Sequence, residues 1–504
     1  MRHRCHESSK YRSTTLAIAL STLFLAQACS ERGERSGIVA NSPALLRVGV
    51  AQLFLTNPSQ GLRQLSGLLS VEGVARPGEN GQMQPWLAEK WTPTNNGRAV
   101  RISLRSNVKF HDGTVLDATV LAALLPEMLR SYMGPLYSEV ESVKAIDRQT
   151  VDVSFRHASP LLYESLEATV RKPAANVVIG TGPFAVVGGS TTEMTANVDY
   201  YLGRPSIDRI LVETYPSVRA AWAEMLRDRI DMLWEVGSEA LDSMKDSTTV
   251  SLFTYTRHYQ HVVVFNTKAV ALRSPAVRRA LNLAIDRNAL VRNSLRNHGV
   301  ASSSPVAPRY WALPRESPHL DFDPQRAVSL LGNSARNKPA VHFTCLVSAD
   351  SVAERVALDV KQQLAAVGVD MTVEEAPRDE LVRRAGSGDY EAAVTEVISG
   401  PTLLRPYLIW HSGSPVNWGR FGSPSIDAAL DSALYAESED AYRRAVEQLQ
   451  QAFDDDPPAI FLAWSVSTRA VSKRFDVQAE EGRDVLSTVR FWKPSTVQRQ
   501  ASRN

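Results

Sequence analysis

Few residues in this chain are spaced for covalent chemistry. His258 and His261 stand three apart, but beside the strand-like run His-Val-Val-Val-Phe they point to opposite faces. No His-Glu-x-x-His and no cluster of cysteines accompanies them, so no metal site is expected. His111-Asp112 leads into Gly113 and reads as a turn pair, not a catalytic dyad. Ser190 follows Gly188-Gly189 at a hairpin-like tip, and the Gly-x-Ser-x-Gly of a nucleophile elbow is absent. Gly180 and Gly182 lack a third glycine and precede Pro183, so they cannot open a dinucleotide-binding helix. Asp454-Asp455-Asp456-Pro457 ends a helix and reads as a solvated turn rather than a calcium loop. The chemistry that remains is recognition. Tyr310 and Trp311 in one loop, and Arg405, Tyr407, Trp410, Asn417 and Trp418 in another, offer apolar walls with a few polar groups, as a concave pocket requires.

Alternating strands and helices must position these loops. Leu45 to Val50 reads as a first buried strand, and Ala99 to Leu104 and Thr150 to Phe155 alternate as strands do. Ile207 to Tyr215 is a strand, Ser217 caps a helix with apolar Val218, Trp222, Met225 and Leu226, and Ile230 to Trp234 returns as a strand. This is a βαβ-like unit. Asp228 stands where that helix ends and tolerates left-handed backbone. Val262 to Phe265 is a strand, and Ser274-Pro275 opens a helix with Ser as cap and Pro at its first position. Val341 to Val347, Val369 to Val373, Tyr390 to Ile398 and Ala459 to Trp464 are further strands, with helices at Ala353 to Val367 and across Ser425 to Phe453. The pattern is multi-lobed α/β.

The 504 residues carry 56 basic and 54 acidic side chains, a net charge of +2 that gives no footing for nucleic acid. Arg2, Arg4, Lys10 and Arg12 precede the apolar run Thr15 to Ala26, too short to span a membrane and suited to a secretory signal. Leu25-Ala26-Gln27-Ala28-Cys29 resembles a bacterial lipoprotein signal, in which Cys29 is acylated. Residues 1–28 are then a signal peptide and 29–42 a polar tether. Cys345 is left as a lone thiol, so no intramolecular disulfide is expected.

Several blocks, in order, resemble the peptide/nickel-type family 5 extracellular solute-binding proteins of ABC importers. Gln84 to Trp91, Arg101 to Asp117 (RISLRSNVKFHDGTVLD), Ile179 to Phe184, Asn197 to Pro205 with Asp208, Asn266-Thr267, Val277 to Leu281, Ala284 to Arg287, and Asp323-Pro324 with Ala327 and Leu330-Leu331 carry the resemblance. Trp86 and Trp91 read as large buried anchors. Gly180 and Gly182 read as a sharp turn between lobes. Arg278 and Asp286 read as sharing a helix face while each pairs elsewhere.

The resemblance implies a two-lobed type II periplasmic binding protein (cluster C-like) with an extra β-rich domain on the first lobe. Residues 43–64, 179–265 and 466–500 would form lobe I, 65–178 the extra domain packed on it, and 266–465 lobe II. It implies a monomeric receptor, not an enzyme, that needs no cofactor. Such a receptor encloses a peptide or other small solute between its lobes and hands it to an ABC permease and ATPase, anchored through the lipid on Cys29 to the periplasmic or extracellular face of a membrane. An exported hydrolase, or a non-transporting sensor or envelope protein on the same scaffold, is the alternative. Peptide-binding members carry an acidic segment that receives the peptide ammonium. Here Glu396 to Leu404 lacks its Trp and Asp, so Glu396 is the substitute and free-peptide binding is in question. Trp234, at a strand end near the expected cleft, completes the ligand set of Trp234, Tyr310, Trp311, Glu396, Arg405, Tyr407, Trp410, Asn417 and Trp418. Trp410→Ala and Arg405→Ala are expected to weaken binding without unfolding.

Overall fold

The computed structural model describes residues 43–51, 58–173, 178–314, 321–332, 341–417 and 419–495. The signal, the tether and Cys29 lie outside them, as does Trp418. Strand β1 (Leu45–Ala51) pairs in parallel with β2 (Arg209–Tyr215) on one side and β3 (Met232–Leu233) on the other. The helix between β2 and β3, Val218–Leu226, starts where the Ser217 hydroxyl accepts from the Ala220 N–H. The turn after it places Asp228 at φ 58°, the left-handed geometry that Asp tolerates. Asp231 then fastens β1 by accepting from both the backbone N–H and the guanidinium of Arg47.

The remaining long strands are β4 (Val250–Phe265), β5 (Val341–Ser348), β6 (Val369–Ala376), β7 (Ala392–Ile398) and β8 (Ala459–Ser472). They join one eleven-stranded sheet, and the antiparallel pair β4–β8 is its spine. Val250 to Thr256 pairs with Ser472 to Val466 on the side of β3, β1 and β2. Gln260 to Val264 pairs with Trp464 to Ala459 on the side of β7, β5 and β6. The spine thus carries one group of strands beside each of its ends. Between Thr256 and Gln260 the register breaks, and Arg257, His258 and Tyr259 face the single residue Ser465. A bulge of this kind turns side chains off the regular ladder and bends the strand.

The inserted domain is a four-stranded antiparallel sheet, in order Ala88–Thr94, Ala99–Leu104, Thr150–Phe155 and Val140–Ala145. Helix α1 (Ala118–Met133), capped by Asp117, lays Leu121, Leu125, Leu129 and Met133 into its core at helical spacing. That core is continuous with second-lobe helices α2 (Leu404–Trp410), Pro424–Leu434 and α3 (Glu439–Asp455). The sheet and α1 thus share one hydrophobic core with residues of 403–461, and buried carboxylates link them to residues on two sides. Toward lobe I, buried Glu72 accepts from Trp86 Nε1, Thr181 Oγ1, Tyr200 OH and Tyr201 OH. Toward lobe II, buried Glu164 accepts from Tyr310 OH and the Leu404 N–H.

Several local expectations change. Gly180 and Gly182 do not take left-handed backbone; they let the chain approach the carbonyls of Ser70 and Leu69, where a Cβ would sit 1.9 and 2.4 Å from the oxygens. Trp86 and Trp91 are half-buried, and Trp86 lies under the Arg76 guanidinium at 3.9 Å. The helix that opens at Pro275 ends at Leu283, so Asp286 does not share a helix with Arg278 but caps the next one at Ala289. The acidic run after α3 is not a solvated turn. Asp454 is 4% exposed and burial raises its carboxyl to about 7, while Asp456 pairs with buried Arg278. Cys345 is a free thiol in the second-lobe core, pushed up to about 12 by burial.

Candidate functional site

The bulge at Arg257 to Tyr259 is where charge from both lobes meets. Arg257 Nη1 lies 4.0 Å from Glu235, just beyond β3 in lobe I, and 3.7 Å from Glu396, on β7 in lobe II. Ser467 and Ser465, two apart on β8 and so on one face, each hold one of these acids. Ser467 Oγ donates to Glu235 at 3.1 Å, and Ser465 Oγ donates to Glu396. His261 adds a contact to Glu396 at 3.4 Å.

Burial alone would raise the Glu396 carboxyl; His261, Arg257 and the Ser465 hydroxyl outweigh it and hold it below the ordinary value. Burial lowers the His261 imidazole. Arg257 makes no hydrogen bond among the described residues, and its guanidinium stacks on Tyr259 at 4.4 Å. Its side chain keeps 15% exposure.

His258 sits beside it. It is exposed, yet desolvation lowers its imidazole, and the charges it feels come from Glu167 of the insert, from Arg483 and Asp484 of lobe I, and from Arg257. On the lobe I side Arg469 spans Trp234 and Asp484 and donates to Tyr255 OH at 2.8 Å. On the far side the backbone N–H groups of Ser399 and Gly400 bind the His258 carbonyl at 3.0 and 3.1 Å. This docks the segment that leads to Arg405. The Arg405 stem passes over Gly400, and its guanidinium lies 4.4 Å from the ring centroid of Tyr132 in the insert.

Of the expected contacts, Glu396 lies at the bulge itself, Trp234 precedes Glu235 and stacks on Arg469, and Arg405 lies on the segment docked to His258, while the others are engaged elsewhere. Tyr310 is 2% exposed, with its hydroxyl on Glu164 and Tyr442. Trp410 is 1% exposed and packs edge-on to Phe453 and Phe461. Tyr407 is buried, stacks on His411 and donates to Asp431. Trp311 stacks on Tyr442 at 5.5 Å. Asn417 folds its own loop by bonding both backbone groups of Phe421. The residues missed by sequence reasoning are Glu235, Arg257, His258, Tyr132 and Glu167. A signal for two of them existed: a charged Arg-His pair inside the long β-like stretch Val250 to Phe265. Among the described residues no three His, Cys, Asp or Glu side chains gather as a metal site, and no helix is long and apolar enough to cross a membrane. The arrangement gathers two acids, an arginine and two histidines at one break in the ladder.

Comparison with known proteins agrees in kind. The profile described as bacterial extracellular solute-binding proteins, family 5 Middle, matches residues 82–419. The oligopeptide-binding protein AppA of Bacillus subtilis is 23% identical, covering 81% of this chain and 83% of its own length. The heme-binding protein A of Haemophilus influenzae is 22% identical over 94% of this chain and 98% of its own. Among solved structures, NikZ from Campylobacter jejuni, in complex with Ni(L-His), superposes with a TM-score of 0.75 at 20% identity, covering 89% of this chain and 99% of its own. AppA from Bacillus subtilis, in complex with a nonapeptide, superposes with a TM-score of 0.71 at 20% identity, covering 90% and 100%.

Proposed function

Because the chain belongs to family 5 of the bacterial extracellular solute-binding proteins, we propose that it is the receptor of an ABC importer and closes its lobes on a peptide or other small solute at the Arg257 bulge. The lobes we assign are 43–64 with 179–265 and 466–500, against 266–465. One observation carries the reading: Arg257 stands between Glu235 of one lobe and Glu396 of the other, at the register break of the shared strands. A ligand that touches both lobes there favours the closed arrangement by its differential binding energy, with no bond made or broken. Trp234, Arg257, His258, Glu396 and Arg405 are the contacts we assign to it. Glu396 is already engaged by Ser465, His261 and Arg257. A peptide ammonium would have to displace them, which favours a solute recognised through acceptor groups. The mature receptor is held at the outer face of a membrane by acyl chains on Cys29, works as a monomer, and delivers to a permease.

The test is native mass spectrometry of the protein purified from its own host. A co-purifying small molecule that leaves unchanged in mass and quenches Trp234 emission on rebinding supports the reading. Chemical turnover of that molecule sinks it.

A further inference from the structure

Glu164 belongs to the insert, yet its carboxyl bonds residues of lobe II. It accepts from Tyr310 OH at 2.7 Å and from the Leu404 N–H at 2.9 Å. Leu404 opens α2, so a carboxyl from one domain serves as the cap of a helix in another. That helix carries Arg405. Tyr310 OH stands in turn 2.7 Å from Tyr442 OH on α3.

Among the described residues no cation hydrogen-bonds Glu164, and His258, which feels the Glu167 charge, has its imidazole lowered by burial. Its own turn, Glu164–Glu167, brings Glu167, a second acid, whose carboxylate accepts from Tyr132 OH of α1. Arg405 of α2 stacks on the ring of Tyr132 and hydrogen-bonds neither acid among the described residues. The strand Ala75–Pro77, packed on the same turn, carries Arg76, which lies over Trp86. The helix Pro424–Leu434 spends Asp427 on Ser412 and Asp431 on Tyr407.

We propose that Glu164 is a positioning residue for the cleft wall: a proton-dependent clasp that ties the insert to residues 399–410, tight while its carboxyl is neutral and loose when it ionises. The neutral acid keeps the Leu404 bond and can hold Tyr310 in either sense, accepting from it or donating to it, in which case Tyr310 donates to Tyr442. The ionised acid is an anion enclosed beside Glu167 without a counter-charge, a state relieved by parting the interface and admitting water. Burial raises this carboxyl to about 8, with the Glu167 charge adding and the Tyr310 and Leu404 bonds opposing. A raised carboxyl contributes stability that is whole below the ordinary carboxylate range and is lost as pH rises through about 8. The clasp rests on the proposed function only in taking 399–410 as ligand wall.

Hydrogen exchange of the full chain without added ligand, corrected for intrinsic rates, tests it. In wild type, protection of 404–410 falls by roughly tenfold per pH unit between about 6 and 8. Glu164→Gln, always neutral, keeps protection flat across that range, and Glu164→Ala is low at every pH. A wild-type profile without this fall, or a Glu164→Gln profile with the same slope, overturns the clasp. Since no ligand enters the measurement, absence of a co-purified solute counts against the proposed function alone.

Discussion

The guanidinium of Arg469 lies 3.7 Å from the ring centroid of Trp234, donates to that residue's carbonyl, and grips Asp484 through two nitrogens. One side chain thus ties β8 to the segments that carry Trp234 and Asp484. Arg469→Ala removes the stacking and both kinds of bond and leaves Asp484 without its cation. Urea unfolding should register a loss of about 3–5 kcal/mol, with a red shift of Trp234 emission. Arg469→Lys, which cannot fork onto a carboxylate, should recover only part of it.

Arg257 separates Glu235 from Glu396, so Arg257→Gln leaves two acids facing each other across the bulge. The open arrangement gains. Small-angle scattering should show a larger radius of gyration, and affinity for the co-purified solute should drop about tenfold, or ~1.4 kcal/mol. A double-mutant cycle with Glu396→Gln should give a coupling of about 0.5–3 kcal/mol. A coupling near zero means that the two residues do not act together.

Glu72 collects four donors at the joint of insert and lobe I, and burial still raises it to about 6. Its contribution is whole below the ordinary carboxylate value and declines as pH climbs through about 6. Glu72→Gln should therefore flatten the stability profile of wild type in that window. Glu72→Ala leaves buried hydroxyls without an acceptor and should cost about 1–3 kcal/mol for each group that finds no water. Chemical denaturation at a series of pH values reads both.

Trp410 and Arg405 now part company. Trp410→Ala empties a site walled by Phe453 and Phe461 and should cost about 3–5 kcal/mol, which corrects the expectation that it spares the fold. Arg405→Ala gives up a cation–π contact worth roughly 0.5–1 kcal/mol and should leave the melting temperature almost unmoved while weakening solute binding. Thermal melts of the two variants side by side distinguish them.

Much of the scaffold could be read from local signals. The Ser217 cap, the left-handed Asp228 and the strands around β1 obey short-range rules. The site was less legible because its partners are distant in sequence. Nothing near Arg257 announces Glu235 or Glu396, and the polar first half of β4 hides a strand that pairs with β8 alone, where Thr254 and Tyr255 find Thr468 and Arg469. Aromatic residues in the later loops were equally suited to a pocket wall or a core. A helix as short as Leu404–Trp410 has too little periodicity to reveal which face Trp410 takes. Glu396 could be singled out by its chemistry, but the serine and histidine that already occupy it could not.

The unbroken run of β4 and β8 has a mechanical corollary. Neither half is made from one run of chain: β4 and β8 both cross at the bulge, so each end of the spine takes segments from both strands. Heat should therefore melt both halves in one step, and attempts to express either as a fragment should yield aggregates. Motion that keeps the ladder intact is restricted to flexing about one short stretch of backbone, like a leaf spring, with sliding forbidden.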